Sequence, residues 1–280
     1  MPELPEVEHA RRRLDSWCRD KRIERAEVLD AFVLEGEADD WKAAIVGRSV
    51  SGVARHGKLM IASLSGGQAL SVHLGMTGHL SRVGEDDELP RFTRWWLGVE
   101  RARVCYVDAR KIGRSVAGSA ADVALRSGWD ALGPDAAQLE DADALRARMG
   151  KSRLPLKALL MDQQRLAGVG NIHAAEALFL AQLHPDATLD QLGDEDWQRL
   201  LAGLGETFAR ALVSMGDAED VVYVSEGGDN PFFVYKREGE PCLRCSTEIL
   251  REVARGRSTY LCPKCQAPKK PKKKARAAKK

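Results

Sequence analysis

The stretch Leu59-Met60-Ile61-Ala62-Ser63-Leu64-Ser65-Gly66-Gly67-Gln68-Ala69-Leu70-Ser71-Val72-His73-Leu74-Gly75-Met76 decides the fold class of the first half of the chain. Leu70, Val72, Leu74 and Met76 alternate with Ser71, His73 and Gly75, the period of a half-buried strand. Leu59 and Ile61 begin a similar run, and Ser65-Gly66-Gly67-Gln68 between them has the composition of a hairpin turn. Trp95 to Val99 and Val104 to Val107 read as a second pair. Several short strands between about 22 and 117 predict a β-sandwich. Cys18 and Cys105 sit among apolar neighbours and read as core residues.

Working back toward the start, Met1-Pro2-Glu3-Leu4-Pro5-Glu6-Val7-Glu8 precedes the strands. Pro5 suits a first helical turn, and Val7, Ala10, Leu14, Trp17 and Cys18 recur at helical spacing, so the pattern predicts a helix over 5–19. Loss of Met1 would leave Pro2 as a free secondary amine, one residue from Glu3 and four from Glu6. An amine nucleophile beside two carboxylates suits iminium chemistry at an aldehyde-level carbon. The same residues also suit a plain helix start, where prolines and acids are favoured. Glu8 reads as a surface residue.

Working forward, Leu132-Gly133-Pro134-Asp135 is a break, after which the pattern turns helical. Residues 154–161 and 172–182 read as helices, separated by Leu166-Ala167-Gly168-Val169-Gly170-Asn171, where two glycines permit turns and Asn171 can start the second helix. Asp194 can cap a longer helix on which Trp197, Leu201, Leu204, Phe208 and Leu212 share a face. Residues 215–240 are rich in Gly and Asp and read as a long loop or linker. Then Cys242-x2-Cys245 and, sixteen residues on, Cys262-x2-Cys265 match a zinc-ribbon spacing. Four thiolates fill a tetrahedral shell, so one structural Zn²⁺ with no open position is expected.

The chain of 280 residues carries a net charge of +2. Residues 267–280 contribute seven Lys and one Arg and no acid; removing those eight charges leaves −6 for the rest. A Lys/Ala/Pro tail of this kind reads as disordered, either a nonspecific tether to phosphate backbones or a solubilising tail. No apolar run is long enough to span a membrane, and the start lacks a signal-peptide layout. These points predict a cytoplasmic, nucleoid-associated monomer.

PELPE at the start, a glycine-rich turn ending in Asn171, and a four-Cys ribbon, taken in this order, resemble the formamidopyrimidine-DNA glycosylases of the Fpg and endonuclease VIII superfamily. Arg55-His56-Gly57-Lys58, His73-Leu74-Gly75-Met76-Thr77-Gly78, Asp108-Ala109-Arg110, Leu156-Lys157 and Met161-Asp162 extend the resemblance. It implies an α+β, multidomain fold: a two-sheet β-sandwich with an N-terminal helix (1–131), a helical helix-two-turn-helix domain (132–225), a linker (226–240), a zinc-finger hairpin (241–266) and a tail (267–280). Damaged double-stranded DNA would bind in the cleft between the domains.

The resemblance also implies roles. Pro2 would attack C1′ of an extruded nucleotide, Glu3 would transfer protons, and Glu6 would position Pro2 or simply favour the helix start. Lys58, Asn171 and Arg257 would hold phosphates, with Lys157 a further phosphate contact. The bland readings are a solvated lysine, a helix cap and a solvated arginine. Met76 would wedge into the vacated stack, unless it is a core residue continuing its strand, and Arg110 would bond the orphaned base. Ala109-Arg110-Lys111-Ile112 stands where the family usually has Pro-Arg-Arg-Phe, so Ile112 offers bulk without an aromatic face. His73 and His79 read as hydrogen-bonded strand residues. The expected activity is a DNA glycosylase with AP lyase activity on oxidised purines, 8-oxoguanine and formamidopyrimidines, through a proline iminium and β,δ-elimination. PELPE rather than PEGPE favours purines over the oxidised pyrimidines of endonuclease VIII. The segment 215–235, with Asp217, Glu219, Asp220 and Glu226, is shorter than the family's lesion-closing loop. A catalytically silent zinc-ribbon DNA-binding protein is the alternative from another class.

Overall fold

Alternation of apolar and polar residues lets a strand bury one face, and in the computed structural model it builds two four-stranded antiparallel sheets. The structure describes residues 2–216 and 230–268. In chain order the first unit holds α1 (Leu4–Cys18), β1 (Ile23–Val28), α2 (Ala38–Ile45), β2 (Val50–His56), β3 (Leu59–Leu64), β4 (Gln68–His73), β5 (His79–Gly84), β6 (Thr93–Val99), β7 (Ala102–Val107), β8 (Arg114–Ser119) and α3 (Ala120–Ser127). One sheet has the order β2-β3-β4-β8 and the other β1-β6-β7-β5. Their inner faces share one core, with Val53, Met60, Leu70 and Val72 from the first and Trp95, Leu97, Val104 and Tyr106 from the second. The Trp95 and Tyr106 rings stack at 5.2 Å, and Trp41 of α2 meets Trp95 at 5.4 Å.

Two departures from the expected strands bear on the site. The run from Leu70 does not continue to Met76: β4 stops at His73, and residues 74–78 form a turn. Gly75 has φ +63°, and a Cβ there would lie 2.5 Å from the Gly113 nitrogen, so only glycine lets the two backbones meet. The stretch 22–117 also contains α2, whose Trp41 donates its indole N–H to the Ser115 hydroxyl at 3.2 Å. Tertiary burial of Trp41 and Ile45 stabilises this eight-residue helix, which is too short to stand alone.

The second unit begins at Pro134, within the break at 132–135. It holds α4 (Ala142–Met149), α5 (Leu156–Leu160), α6 (Asn171–Leu180), most of α7 (Asp194–Met215) and the hairpin β9 (Leu250–Ala254) with β10 (Arg257–Leu261). The end of α7, from Ala211, groups with the first unit. Helix α5 is shorter than the expected 154–161 because Pro155 precedes its first turn. The buried face of α7 includes Trp197, Leu204 and Phe208, as expected, with Leu200, Ala211 and Met215, while Leu201 and Leu212 are half-buried. Its capping carboxylate is Asp196, which accepts the Gly193 N–H at 2.8 Å, while Asp194 pairs with Arg146. No described helix is long and apolar enough to cross a membrane. The acidic segment at 217–226 and the lysine-rich tail from 269 lie outside the described residues.

Candidate functional site

Helix α1 places the N-terminal residues. Glu3 is its N-cap, and Glu6 at the third helical position completes a reciprocal capping box. The Glu3 backbone N–H donates to Glu6 Oε2 at 2.8 Å. Both side chains are buried, Glu3 at 1% exposure and Glu6 at 9%, and Pro2 is buried beside them. Glu6 therefore holds the Glu3 backbone at the start of the helix, next to Pro2.

Glu8, which the sequence reading leaves on the surface, ties α1 to β2. It takes Arg55 Nε at 3.1 Å, Arg11 Nε at 3.0 Å and Arg12 Nε at 2.9 Å. Farther along, the Val53 N–H donates to Asp15 Oδ1 at 2.9 Å and Arg19 donates to the Ser51 carbonyl. As α1 advances, its partners recede along β2, so helix and strand run antiparallel. That direction points the Gly57-Lys58 turn, which follows β2, toward the N-terminal end of α1. Lys58 is half-buried, and its charge, after burial itself, helps hold His73 neutral. His73 Nδ1 accepts the Gly75 N–H, the strand-end role expected of it.

Burial pushes the Glu8 carboxyl up, but hydrogen bonds and charge from Arg11, Arg12 and Arg55 outweigh it and hold the group below 4.5. Its contribution to stability is whole above pH 4.5 and fades as the pH falls through the lowered folded value. A Glu8→Gln variant should lose about 2 kcal/mol at neutral pH. Urea unfolding between pH 7 and 3 checks this: the gap to wild type should close below pH 4.5, and a gap independent of pH would refute it.

Met76 and Ile112 are each 38% exposed, high for apolar side chains, and Arg110 is exposed. Met76 is therefore not a core residue. It sits at the tip of the 74–78 turn, beside the loop that bears Arg110 and Ile112. Between those two residues Lys111 adopts a left-handed backbone, φ +55°, and pairs with Asp30 at 2.6 Å. Cys18 and Cys105 are buried, and burial pushes the Cys18 thiol up to about 12, so both are core residues as expected.

In the second unit, Gln163 shapes the glycine-rich turn. Its amide donates to the Met161 and Val169 carbonyls, both at 2.8 Å, and accepts the Gly168 N–H at 3.0 Å. Asn171 is the first residue of α6, half-buried, with Nδ2 donating to the Ser258 carbonyl at 3.0 Å. Lys157, a further phosphate contact in the sequence reading, is held among protein acceptors in the described structure. At 6% exposure its ammonium donates to Asn171 Oδ1 at 2.8 Å, Thr259 Oγ1 at 2.8 Å and the Ser258 carbonyl at 3.3 Å. Lys157 thus joins α5, α6 and β10, and Arg257, exposed on β10, stands next to the residue so held. Glu176, unremarked in the sequence, is completely enclosed and accepts the N–H groups of Phe233, Val234 and Tyr235 at 2.7–2.9 Å. Burial pushes its carboxyl above the usual range, and those three donors pull the other way.

The four sulfurs of Cys242, Cys245, Cys262 and Cys265 lie within 4.8 Å of one another. Cys242 to Cys265 spans 3.9 Å and Cys245 to Cys262 3.4 Å. A tetrahedron of Zn–S bonds of about 2.3 Å has edges of about 3.8 Å, so the cage fits one zinc ion. The Thr247 hydroxyl and N–H lower the Cys245 thiol to about 6, toward the metal-binding thiolate. Cys242 and Cys262 pack against Ala175 and Phe179 of α6, so the cage is continuous with the helical core.

Three known domain families match these parts in order. Residues 1–115 match the formamidopyrimidine-DNA glycosylase N-terminal domain, 132–220 the formamidopyrimidine-DNA glycosylase H2TH domain, and 239–268 the zinc finger found in FPG and IleRS. That succession defines a DNA glycosylase with an attached four-cysteine zinc finger, which holds one structural zinc ion. The formamidopyrimidine-DNA glycosylase of Heliobacterium modesticaldum is 36% identical over 95% of this chain and 100% of its own length, and that of Thermobifida fusca is 32% identical over 95% and 97%. Two crystal structures of Lactococcus lactis Fpg, one with DNA containing an abasic site and one with DNA containing FAPY-dG, each superpose with a TM-score of 0.85. Each is 28% identical, covering 95% of this chain and 100% of theirs. The chain belongs to the formamidopyrimidine-DNA glycosylase family, enzymes of base-excision repair that remove damaged bases and also act as AP lyases.

Proposed function

We propose that this protein excises oxidised purines, 8-oxoguanine and formamidopyrimidines, from double-stranded DNA and cleaves the strand through a covalent bond to Pro2. The observation that carries the reading is the buried capping box of Glu3 and Glu6, which orders the start of α1 directly after Pro2.

The chemistry follows from those groups. A terminal amine has a reference pKa near 8, so about a tenth is neutral at pH 7. The Pro2 nitrogen attacks C1′ of an extruded nucleotide, the C1′–N bond to the damaged base breaks, and the base leaves with the proton that the attacking nitrogen gives up. Glu3 protonates O4′ as the sugar ring opens, and the nitrogen lone pair forms the C1′ iminium. A secondary amine gives an iminium with no N–H to lose, so it remains an electron sink. Loss of the C2′ proton then expels the 3′ phosphate, loss of the C4′ proton expels the 5′ phosphate, and water frees the amine. Zinc, held by Cys242, Cys245, Cys262 and Cys265, supplies structure alone, with no open position.

Lys58 in the first unit, and Asn171 and Arg257 in the second, bind phosphates, with one Asn171 amide hydrogen beyond its bond to Ser258 available for the purpose. Lys157 acts through Asn171 and the hairpin. Met76 fills the vacated stack, Arg110 bonds the orphaned base, and Ile112 adds bulk beside it. The protein works as a monomer at the nucleoid. A panel of duplexes checks the substrate class: base release from 8-oxoguanine and formamidopyrimidine should exceed release from oxidised pyrimidines by about tenfold or more. The reverse order would assign the endonuclease VIII specificity instead.

A further inference from the structure

The 74–78 turn with Met76 and the 109–113 loop with Arg110 and Ile112 hang from one buried carboxylate. Asp108 follows β7 and is 0% exposed. Its Oδ1 accepts the Thr77 hydroxyl at 2.6 Å and the Arg110 N–H at 3.1 Å. Its Oδ2 accepts the Gly113 N–H at 2.9 Å and the Tyr106 hydroxyl at 3.2 Å. Thr77 Oγ1 also accepts the Arg110 N–H at 3.3 Å, so a single hydroxyl links the residue after Met76 to the backbone of Arg110.

No slack separates the two loops. A Cβ at Gly113 would fall 1.7 Å from the Tyr106 hydroxyl and 2.7 Å from the His73 carbonyl, and one at Gly78 would lie 2.2 Å from the Leu74 carbonyl. Tyr106 is itself locked by its stack on Trp95. Both oxygens of Asp108 are committed to protein donors, so it has no acceptor to spare for substrate chemistry. Hydrogen bonds from Thr77, Gly113, Arg110 and Tyr106 outweigh burial, which opposes them, and keep the group ionised. An ionised, fully enclosed carboxylate with four donors costs heavily to disturb.

We propose that Asp108, with Thr77, is a positioning residue that makes the Met76 turn and the Arg110 loop one mechanical unit, so that filling the vacated stack and holding the orphaned base are coupled rather than independent acts. Neither residue touches the DNA in this scheme. The proposal rests on the assignment of Met76 and Arg110 made above, and it adds that their energies are not additive.

The test is a double-mutant cycle read in three backgrounds. Base release from an 8-oxoguanine duplex is measured for wild type, Met76→Ala, Arg110→Ala and the double variant, then for the same set carrying Asp108→Asn or Thr77→Val. In the natural background the double variant should be about tenfold faster than the product of the single losses predicts. With Asp108→Asn or Thr77→Val that factor should fall to within about twofold of unity. Thr77→Val removes the bridging hydroxyl at nearly constant shape and keeps the test alive if Asp108→Asn folds poorly. Borohydride trapping on single-stranded abasic DNA, which has no stack to fill and no partner base, supplies the second readout. The Thr77→Val and Asp108→Asn deficits should be larger on the duplex than on the single strand, whereas a merely structural defect lowers both alike.

Single variants that each slow the reaction but multiply independently in wild type would overturn the coupling and leave the assignment of Met76 and Arg110 standing. A coupling factor unchanged by Thr77→Val and Asp108→Asn would do the same. Single variants with wild-type rates would remove that assignment, and the coupling with it.

Discussion

Protein whose Pro2 nitrogen is blocked, by a retained Met1 or by acetylation, should form no borohydride-stable adduct with abasic DNA, a loss on the order of 10³-fold or more. A positioned nucleophile supplies an effective molarity of about 10⁵ M or higher, and blocking the nitrogen forfeits it. Pro2→Gly should lose less. Its primary amine still condenses with an aldehyde, but the resulting iminium can shed a proton and become a weaker electron sink. The order wild type, then Pro2→Gly, then blocked protein is therefore the signature to seek. Mass spectrometry of the trapped species belongs in the experiment. Full adduct yield from protein proven to retain Met1 would end the Pro2 route, and with it the catalytic account of Glu3 and Glu6, whose capping box would then serve only the start of α1.

The second large effect is expected on losing the metal. Structural zinc contributes about 10–16 kcal/mol to the fold of small zinc-finger peptides, and a two-stranded hairpin alone is marginal in water. Cys242→Ser removes one of four sulfurs. The cage then cannot hold Cys242 and Cys262 against α6, and β9–β10 loses its anchor. The Ser258 carbonyl and Thr259 hydroxyl leave Lys157, a buried ammonium stripped of two acceptors, and Arg257 loses its place. Affinity for damaged duplex should fall by about 100-fold, some 2.7 kcal/mol, with zinc content falling in step. Chelation of the wild-type protein should reproduce the loss and added zinc should reverse it. Undiminished affinity in a folded, zinc-free Cys242→Ser protein would disprove the dependence.

Much of this architecture was legible in the sequence, for reasons that differ by element. The pairings around Ser65-Gly66-Gly67 follow from period-two burial plus a turn, both local signals. The cysteine cage follows from spacing, because each two-residue gap closes a knuckle on one metal. Helix α2 was hidden, since its burial depends on Trp41 reaching Ser115, a partner 74 residues away. Met76 continued a strand pattern that the contact of Gly75 with Gly113 cuts short, a backbone event invisible to side-chain period. Pro2, Glu3 and Glu6 could be named as a set, but the capping box that orders them needed geometry. Neither the enclosure of Lys157 nor the partners of Glu8 could be read from the sequence. The lysine is surrounded by Asn171, Ser258 and Thr259, and a glutamate expected in solvent gathers three arginines. Charge alone does not say which face of a helix is covered.

The stack of Tyr106 on Trp95 has a practical consequence. Tyr106 is bonded through its hydroxyl to Asp108, and its ring lies 5.2 Å from a fully enclosed indole. A displacement of either loop on meeting a ligand that moves Tyr106 should thus alter the surroundings of a chromophore shielded from water. Trp95 is one of six tryptophans, so the expected change in ultraviolet emission is the part of the signal lost when Trp95 is replaced by Phe.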